Sequence, residues 1–398
     1  MLPFPRISFP MTLLFVAKES LPGETRVAAS PETVARMTKI GLQVQVAAGA
    51  GDGSYYSNAA FEEAGATIVA DNATGFGAAD MILKVGVATP EEAAAMRKGA
   101  LLVSFLQGTR FPDTARALAE AGVDCFAMEL VPRITRAQKM DALSSQANIA
   151  GYKAVLLGAA ALPRFFPLMM TAAGTVKPAR VVIFGVGVAG LQAIATAKRL
   201  GAQVEATDIR PEVKEQVLSL GGKFIEVAPD EGATEPSVYA KEASDDYKRR
   251  QAEAVGASVA QADVVITTAQ VPGARAPMLV PTAMVETMKP GSVIVDLAID
   301  QGGNCELSEL GKDIVHAGVT ILGASNLPAT VAQDASQLYA RNVLQVVEHL
   351  APVDKDSDAP PSIVIDLEDE ITAGSIAIRD GKILHQPTAD AAQAGAAS

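Results

Sequence analysis

The sequence predicts an α/β chain of two doubly wound parallel-sheet domains, the second inserted in the first, and three observations predict it. Short strand-like apolar runs alternate with helical segments from Leu13 to Met128. A second alternation begins at Val181, where a glycine-rich turn separates its first strand from its first helix. The length of 398 residues suits two or three domains at about 150 residues each, and a hydrophobic fraction of 49% is ample for their cores.

Taken in order, the first ten residues, MLPFPRISFP, lack the continuous apolar stretch and small-residue cleavage site of a signal peptide, and read as an over-extended start or a disordered tail. Strands are then expected at Leu13 to Val16, Gln43 to Ala47, Ala66 to Val69, Met81 to Val85, Leu101 to Leu106 and Val123 to Met128. The first helix has Ser30 as its cap, Pro31 in its first turn and Gly41 as its stop. AGAGDG, Ala48 to Gly53, follows a strand but precedes no convincing helix, and reads as a loop. The first domain is assigned residues 1–142 and 332–398, and the second 143–331.

The junction, Met128 to Val155, is dense in polar groups: Arg133, Arg136, Gln138, Asp141, Ser144 and Gln146. Such a loop between domains is where ligand groups converge, with a solvated linker as the open alternative. The apolar region from Asn148 to Gly174 is broken by Lys153, Arg164 and two prolines, so it reads as a buried connecting helix and loop rather than a membrane span.

The second domain opens on Val181 to Phe184, a short buried strand, followed by Gly185, Gly187 and Gly190 in the spacing G-x-G-x-x-G and a helix that starts through Val188 and Ala189 and stops at Gly201. Gly185 allows the tight turn, Gly187 lets a pyrophosphate approach bare backbone, and Gly190 lets the helix pack close to the strand. The helix start offers N–H groups and a partial positive charge to that pyrophosphate. Asp208 ends a second strand, Gln203 to Thr207. An acid there accepts hydrogen bonds from the adenosine ribose and repels a 2′-phosphate, which favours NAD(H), although Arg210, two residues on past Ile209, works against that preference. Further strands at Lys223 to Val227, Asp263 to Thr267, Ser292 to Leu297 and Val319 to Leu322 complete the six of a Rossmann fold in order 3-2-1-4-5-6. Ala228 to Gln251 is too long and charged for an ordinary connection and reads as a flap over the ligand or a disordered insertion. Two strand-end loops are expected at the cofactor crevice: Thr267 to Gly273, with Thr268, Ala269, Gln270 and Gly273, and Asp296 to Cys305, with Asp296 and Leu297. Gly302 and Gly303 in the latter either admit a nicotinamide ribose or make a tight turn.

After a loop at Asn326 to Pro328, the helix Ala332 to Leu350 carries the chain back, with Leu338, Val343, Val346 and Val347 expected to pack on the first domain. A hairpin follows, Ser375 to Arg379 and Lys382 to His385, turned in type I′ style by Asp380 and Gly381. The tail, Thr388 to Ser398, has small-residue linker composition.

The net charge of −12 and a pI near 4.9 leave no nucleic-acid footprint. Cys125 and Cys305 are far apart, without metal-type spacing, and neither has a nearby base that would make it a nucleophile.

The segments KESLPGETRVAASPETV, PRITRAQKMDALSSQANIAGYKAV, MMTAAGTVKPARVVIFGVGVAGLQAIATAKRLGA and MKPGSVIVDLAIDQGGNCE give the chain its resemblance, over nearly its whole length, to the alanine dehydrogenase and pyridine nucleotide transhydrogenase superfamily. Within it the chain most resembles the NAD(H)-binding subunits of proton-translocating NAD(P) transhydrogenases. The resemblance implies that Arg133, Gln138, Asp141 and Ser144 grip the nicotinamide and its ribose, and that Tyr239 lies in a flap closing over NAD(H). It also implies a homodimer, an NADP(H)-binding beta subunit and a membrane-spanning subunit as partners, and a cytoplasmic location peripheral to the inner membrane through those partners, with no insertion of this chain itself.

Alanine dehydrogenase is the rival within the same resemblance. Its substrate and catalytic positions correspond to Arg26, Lys84, Asp300 and a histidine whose place here is taken by Gln107. Oxidising an amino acid needs a base as hydride leaves, and histidine is the usual choice near neutral pH. The three histidines here, His316, His349 and His385, fall outside the expected crevice. Hydride transfer between two nicotinamides needs no base, only rings held close, with C4 atoms roughly 3 to 3.5 Å apart.

Overall fold

A computed structural model describes residues 12–227, 245–271, 273–354 and 359–396. Most of the expected flap, with Tyr239, lies outside the described residues. The chain divides into two compact units, Met1–Gln146 with Pro328–Ser398, and Ala147–Leu327.

Seventeen strands are described in chain order. β1 to β6 are Leu13–Val16, Gln43–Ala47, Thr67–Val69, Met81–Leu83, Leu101–Ser104 and Asp124–Ala127. β7 and β8 are Met169–Thr171 and Gly174–Val176. β9 to β15 are Arg180–Phe184, Gln203–Thr207, Lys223–Phe224, Val264–Thr267, Val293–Asp296, Asp313–His316 and Val319–Leu322, and β16 and β17 are Ile376–Arg379 and Lys382–Ile383.

In the first unit the sheet order is β17-β16-β6-β5-β4-β1-β2-β3. Its six N-terminal strands pair in parallel, giving the doubly wound order 3-2-1-4-5-6. The C-terminal hairpin extends the edge antiparallel to β6. Asp380 and Gly381 at its turn have φ of 49° and 74°, the two positive values a type I′ turn requires. The helix Pro31–Lys39 starts on Ser30, whose hydroxyl accepts from Thr33 N–H while Thr33 Oγ1 accepts from Ser30 N–H, a reciprocal cap.

The second unit carries the sheet β11-β10-β9-β12-β13-β15-β14. Its first six positions reproduce the expected order 3-2-1-4-5-6, all parallel. Alternation along the central strands buries both faces. Val181, Ile183, Val264, Ile266, Val293 and Val295 belong to one core, and Val182, Phe184, Val265 and Ile294 to the other, as expected of a sheet covered on both sides.

Several expectations need correction. The second sheet has a seventh strand, β14, antiparallel at its edge; its residues alternate only between exposed and half-buried, which leaves no apolar pattern to read. The third strand ends at Phe224 rather than Val227. The junction is less of a loop than expected, because short 3-10 turns at Met128–Leu130 and Thr135–Met140 lead into a helix at Ala142–Ala161. The region beyond that helix is not a buried connection: it forms the β7–β8 hairpin, with Phe165, Leu168 and Met170 exposed. Asp245 to Gln251, assigned to the flap, begins the helix Asp245–Ala260.

The tail is the helix Gln386–Ala396. Alanine is the best helix former, and packing decides the matter: Thr388 and Ala392 are buried, and the Ala392 carbonyl accepts from Arg116 of the helix Pro112–Ala121. Finally, the helix Ala332–Leu350 buries Val343, Val346 and Val347 as expected, but Leu338 is 39% exposed and Tyr339 fully buried in its place. The stripe therefore runs one position later. Among the described residues no helix is long and apolar enough to cross a membrane.

Tyr339 also donates its hydroxyl to the Lys84 carbonyl at 2.9 Å. Tyr339→Phe should therefore cost about 1 kcal/mol of stability by leaving that carbonyl unpaired, whereas Leu338→Ala should fall within about 0.5 kcal/mol of wild type. Urea or thermal unfolding distinguishes them, and equal losses would contradict this assignment of the buried face.

Candidate functional site

In the second unit the glycine turn joins β9 to the helix Val188–Arg199. Gly185 has φ of 88°, which an L side chain rarely adopts. A Cβ on Gly190 would lie 1.9 Å from the Gly185 carbonyl oxygen, so the first helical turn rests directly on the turn below it. At Gly187 the same test meets nothing within 4 Å. Gly187 is also the helix N-cap, and no side chain caps it. The first-turn N–H groups of Val188, Ala189 and Gly190 thus start a helix whose macrodipole favours an anion. From below, Gly151 of the helix Ala142–Ala161 approaches so closely that a Cβ would stand 2.1 Å from the Ala189 carbonyl.

Asp208 lies just past the end of β10, with its carboxylate folded back on this turn. Oδ2 accepts from Val186 N–H at 2.6 Å and Oδ1 from Arg210 N–H at 2.9 Å. The Arg210 guanidinium adds Nε to Oδ1 and Nη2 to Oδ2, each at 3.0 Å. Burial works against ionisation here, but the Arg210 and backbone hydrogen bonds outweigh it and hold the carboxyl below its usual range. Ile209, between the two, is 97% exposed and presents a bare apolar surface beside the carboxylate.

The strand-end loops divide into exposed and internal residues. Gln270 and Gly273 are exposed, Gly273 with φ of 72°. Thr268 ties the glycine turn, its hydroxyl donating to the carbonyls of Phe184 and Gly185. Ala269 is held at both its N–H and its carbonyl by the Asn304 side chain. Leu297 is half-buried, packs on the core and accepts the Gln270 amide at its carbonyl.

Asp296 corrects the expectation of a cofactor contact. Its side chain is fully buried and accepts from Thr267 Oγ1, Ala298 N–H, Asn304 N–H and Cys305 N–H. Four protein donors saturate it, so its carboxylate staples the loop that turns through Gly302 and Gly303, at φ of 93° and 77°. Nothing in the sequence distinguishes such a staple from a ligand contact.

In the first unit the 3-10 turn Thr135–Met140 presents Gln138, and Arg133 precedes it; both side chains are exposed. Asp141 caps the helix Ala142–Ala161, accepting from Ser144 N–H at 2.9 Å and from the Ser144 hydroxyl. Asp141 and Ser144 therefore hold each other in place. Two residues that sequence reasoning missed anchor this loop. Asn342 donates to the Lys139 carbonyl at 2.8 Å and accepts from Ser145 Oγ at 2.8 Å, clamping both sides of Asp141. Asp369 pairs with Arg136 at 3.0 Å while capping the helix Glu370–Ser375. Each acts across about 200 residues of chain, so no local pattern announces it.

A second polar cluster in this unit contains the other positions of interest. Arg26 is buried, forms a bidentate pair with Glu24 at 2.6 and 2.8 Å, and donates to Gln146 Oε1. Lys84 is wholly buried between Glu92 at 3.1 Å and Glu19 at 3.5 Å. Burial pushes the Glu19 carboxyl up despite the lowering pull of Lys84. Gln107 sits at φ of 46°, its N–H bound to Glu129. In the second unit, Asp300 belongs to the 3-10 turn Ile299–Gln301. His316 pairs with Glu286, His349 with Thr372 and Asp369, and His385 with Thr388. Both cysteines are buried free thiols, with Cys125 pushed far up by burial and Cys305 raised by the same cause, which leaves neither suited to nucleophilic work.

Comparison with known proteins agrees with this geometry. The family described as "Alanine dehydrogenase/PNT, N-terminal domain" matches residues 15–150, and "Alanine dehydrogenase/PNT, C-terminal domain" matches residues 154–386. The chain is 50% identical over 378 residues to an NAD(P) transhydrogenase subunit alpha polypeptide of Rhodospirillum rubrum, covering 93% of this chain and 97% of that protein. It is 34% identical over 299 residues to the alanine dehydrogenase of Bacillus subtilis, covering 74% and 72% respectively. The solved transhydrogenase from Sinorhizobium meliloti superposes with a TM-score of 0.84 at 44% identity, covering 94% of this chain and all of that one. With both of its family regions matched and a transhydrogenase alpha subunit similar along nearly its whole length, the chain belongs to the alanine dehydrogenase/PNT family of oxidoreductases.

Proposed function

We propose that this chain is the NAD(H)-binding subunit of a proton-translocating NAD(P) transhydrogenase. Similarity to a transhydrogenase alpha subunit over nearly the full length of both proteins supports the assignment. The observation that carries the choice of chemistry is Gln107, which stands without an ionisable side chain where the alanine dehydrogenase resemblance puts a histidine. NADH, when bound, supplies hydride from its C4 to the C4 of NADP⁺ held by a separate beta subunit, giving NAD⁺ and NADPH with no proton exchanged by this chain.

The residues of the second unit fit a dinucleotide. Gly187 leaves open backbone for a pyrophosphate, the uncapped helix start after it supplies N–H donors, and Asp208 supplies an ionised acceptor for a ribose diol. In the first unit Arg133 and Gln138 offer exposed donors, and the Asp141–Ser144 pair offers fixed acceptors, for orienting a nicotinamide. These are positioning groups, and orientation is what the reaction requires. Proton movement then belongs to membrane-spanning partner subunits, to which this chain binds as a peripheral cytoplasmic homodimer. Retention of Arg26, Lys84 and Asp300 favours the second reading, an alanine dehydrogenase.

Three outcomes are expected. The purified chain should bind NADH in preference to NADPH by fluorescence titration. Because Asp208 is held ionised below the usual carboxylate range, that preference should persist from about pH 5 to 8; a preference lost within that window would remove Asp208 from the site. Incubation with L-alanine and NAD⁺ should form no NADH, and measurable turnover would establish the second reading instead. In complexes reconstituted with the membrane and NADP(H) subunits, and assayed with an acetylpyridine NAD analogue, Gln138→Asn and Asn342→Asp should each lower kcat by about 10- to 100-fold. NADH affinity should stay close to wild type, since the first shortens an orienting amide and the second sets a carboxylate against the Lys139 carbonyl. Equal losses of rate and affinity would show that these residues bind rather than orient.

A further inference from the structure

The environment of Asp208 contains one donor too many. A carboxylate offers about four lone-pair sites, and all four are taken by Val186 N–H, Arg210 N–H, Arg210 Nε and Arg210 Nη2. The two backbone donors are part of the turn and cannot leave without unfolding it. The other two belong to a single side chain, 49% exposed, which covers a carboxylate that is itself 6% exposed. A ribose presents two adjacent hydroxyls and needs one acceptor site on each carboxylate oxygen. Those are the sites the guanidinium holds, one on Oδ1 and one on Oδ2.

We propose that Arg210 is a specificity-determining residue that competes with the adenosine ribose for Asp208 and must swing off the carboxylate for NAD(H) to seat. This rests on the reading of the chain as NAD(H)-binding. Once displaced, the guanidinium is a cation beside the ribose 2′ position, where it pairs with a 2′-phosphate if one is present. The Glu212 carboxylate also acts on this guanidinium and gives it a second partner when it leaves. Arg210 therefore works against the discrimination that Asp208 provides: it weakens NADH binding by occupying the diol's acceptors and narrows the gap to NADPH by offering a phosphate partner. An arginine that served NADH binding would have the opposite effect.

The test uses the purified full chain, titrated with NADH, NADPH, AMP and 2′-AMP, as wild type, Arg210→Ala and Arg210→Gln. Arg210 is half-exposed, so neither variant opens the core. Because a half-exposed ion pair is weak, Arg210→Ala is expected to tighten NADH and AMP by about two- to fivefold and to weaken NADPH and 2′-AMP, widening the ratio between the two classes. Arg210→Gln should shift both in the same directions. If either variant binds NADH more weakly than wild type, or unchanged, Arg210 is a cofactor contact or a bystander and the proposal is overturned. If wild type binds NADH while the variants fail this pattern, the inference alone falls; if wild type binds neither NADH nor AMP, the NAD(H) reading falls with it.

Discussion

The second unit depends on the contact between Gly190 and Gly185. A helix whose first turn lies within a hydrogen atom's reach of the preceding carbonyl cannot tolerate a Cβ at that point, and because it cannot, its N-terminus is aimed along the end of β9. Everything chemical in the unit follows from this fixed direction. The uncapped amides after Gly187 open to one side, Thr268 closes over the turn from β12, and Asp208 reaches back from β10 to bind Val186 N–H. Gly151 extends the constraint to a further helix, so the turn is held from two sides by backbone rather than by flexible side chains. A phosphate-binding turn fixed in this way needs little reorganisation when an anion arrives.

The first unit solves a different problem, that of holding a polar loop still. A 3-10 turn has poorer hydrogen-bond geometry than an α-helix and runs only briefly, so the segment bearing Gln138 needs external support. Asn342 supplies it with both ends of one amide, and Asp369 supplies it through Arg136. Both anchors stand on or next to helices from the C-terminal region of the chain. The return of the chain after the second unit is thus what lets the loop carry precise orienting groups.

These two cases explain what was legible in the sequence. Gly185, Gly187, Gly190 and Asp208 act over a short span in which each residue type has a local mechanical reason, and alternating valines and isoleucines report a sheet covered on both faces. Strand order followed from the same signals. What was not legible acts at a distance or by saturation. Asn342 looks like any polar residue of an amphipathic helix until Lys139 is set against it. Asp296 sits at the end of its strand, where ligand-binding acids are found, and only the count of its four donors shows it to be internal. The edge strand β14 and the alanine-rich tail fail for a third reason: composition there is compatible with two states, and burial against a neighbour makes the choice. Leu338 and Tyr339 show the same at single-residue scale, since a shift of one position along a helix rotates the buried stripe by about 100°.

Arg26 and Lys84 illustrate why retained residues are weaker evidence than replaced ones. Each is buried and balanced by carboxylates, Arg26 by Glu24 and Lys84 by Glu92 and Glu19. Removing either cation would leave a buried carboxylate uncompensated, at a cost of about 3–5 kcal/mol. Arg26 further holds Gln146, which in turn donates to the Ala335 carbonyl and so ties the start of the helix Ala142–Ala161 to the returning chain. Stability alone is therefore enough to keep both cations, whatever the enzyme does. Gln107 carries no such obligation: its backbone N–H is bound by Glu129 irrespective of the side chain, so the side chain there is free to follow the chemistry. The position that the fold does not constrain is the one that reports the reaction, and it reports that no base is needed.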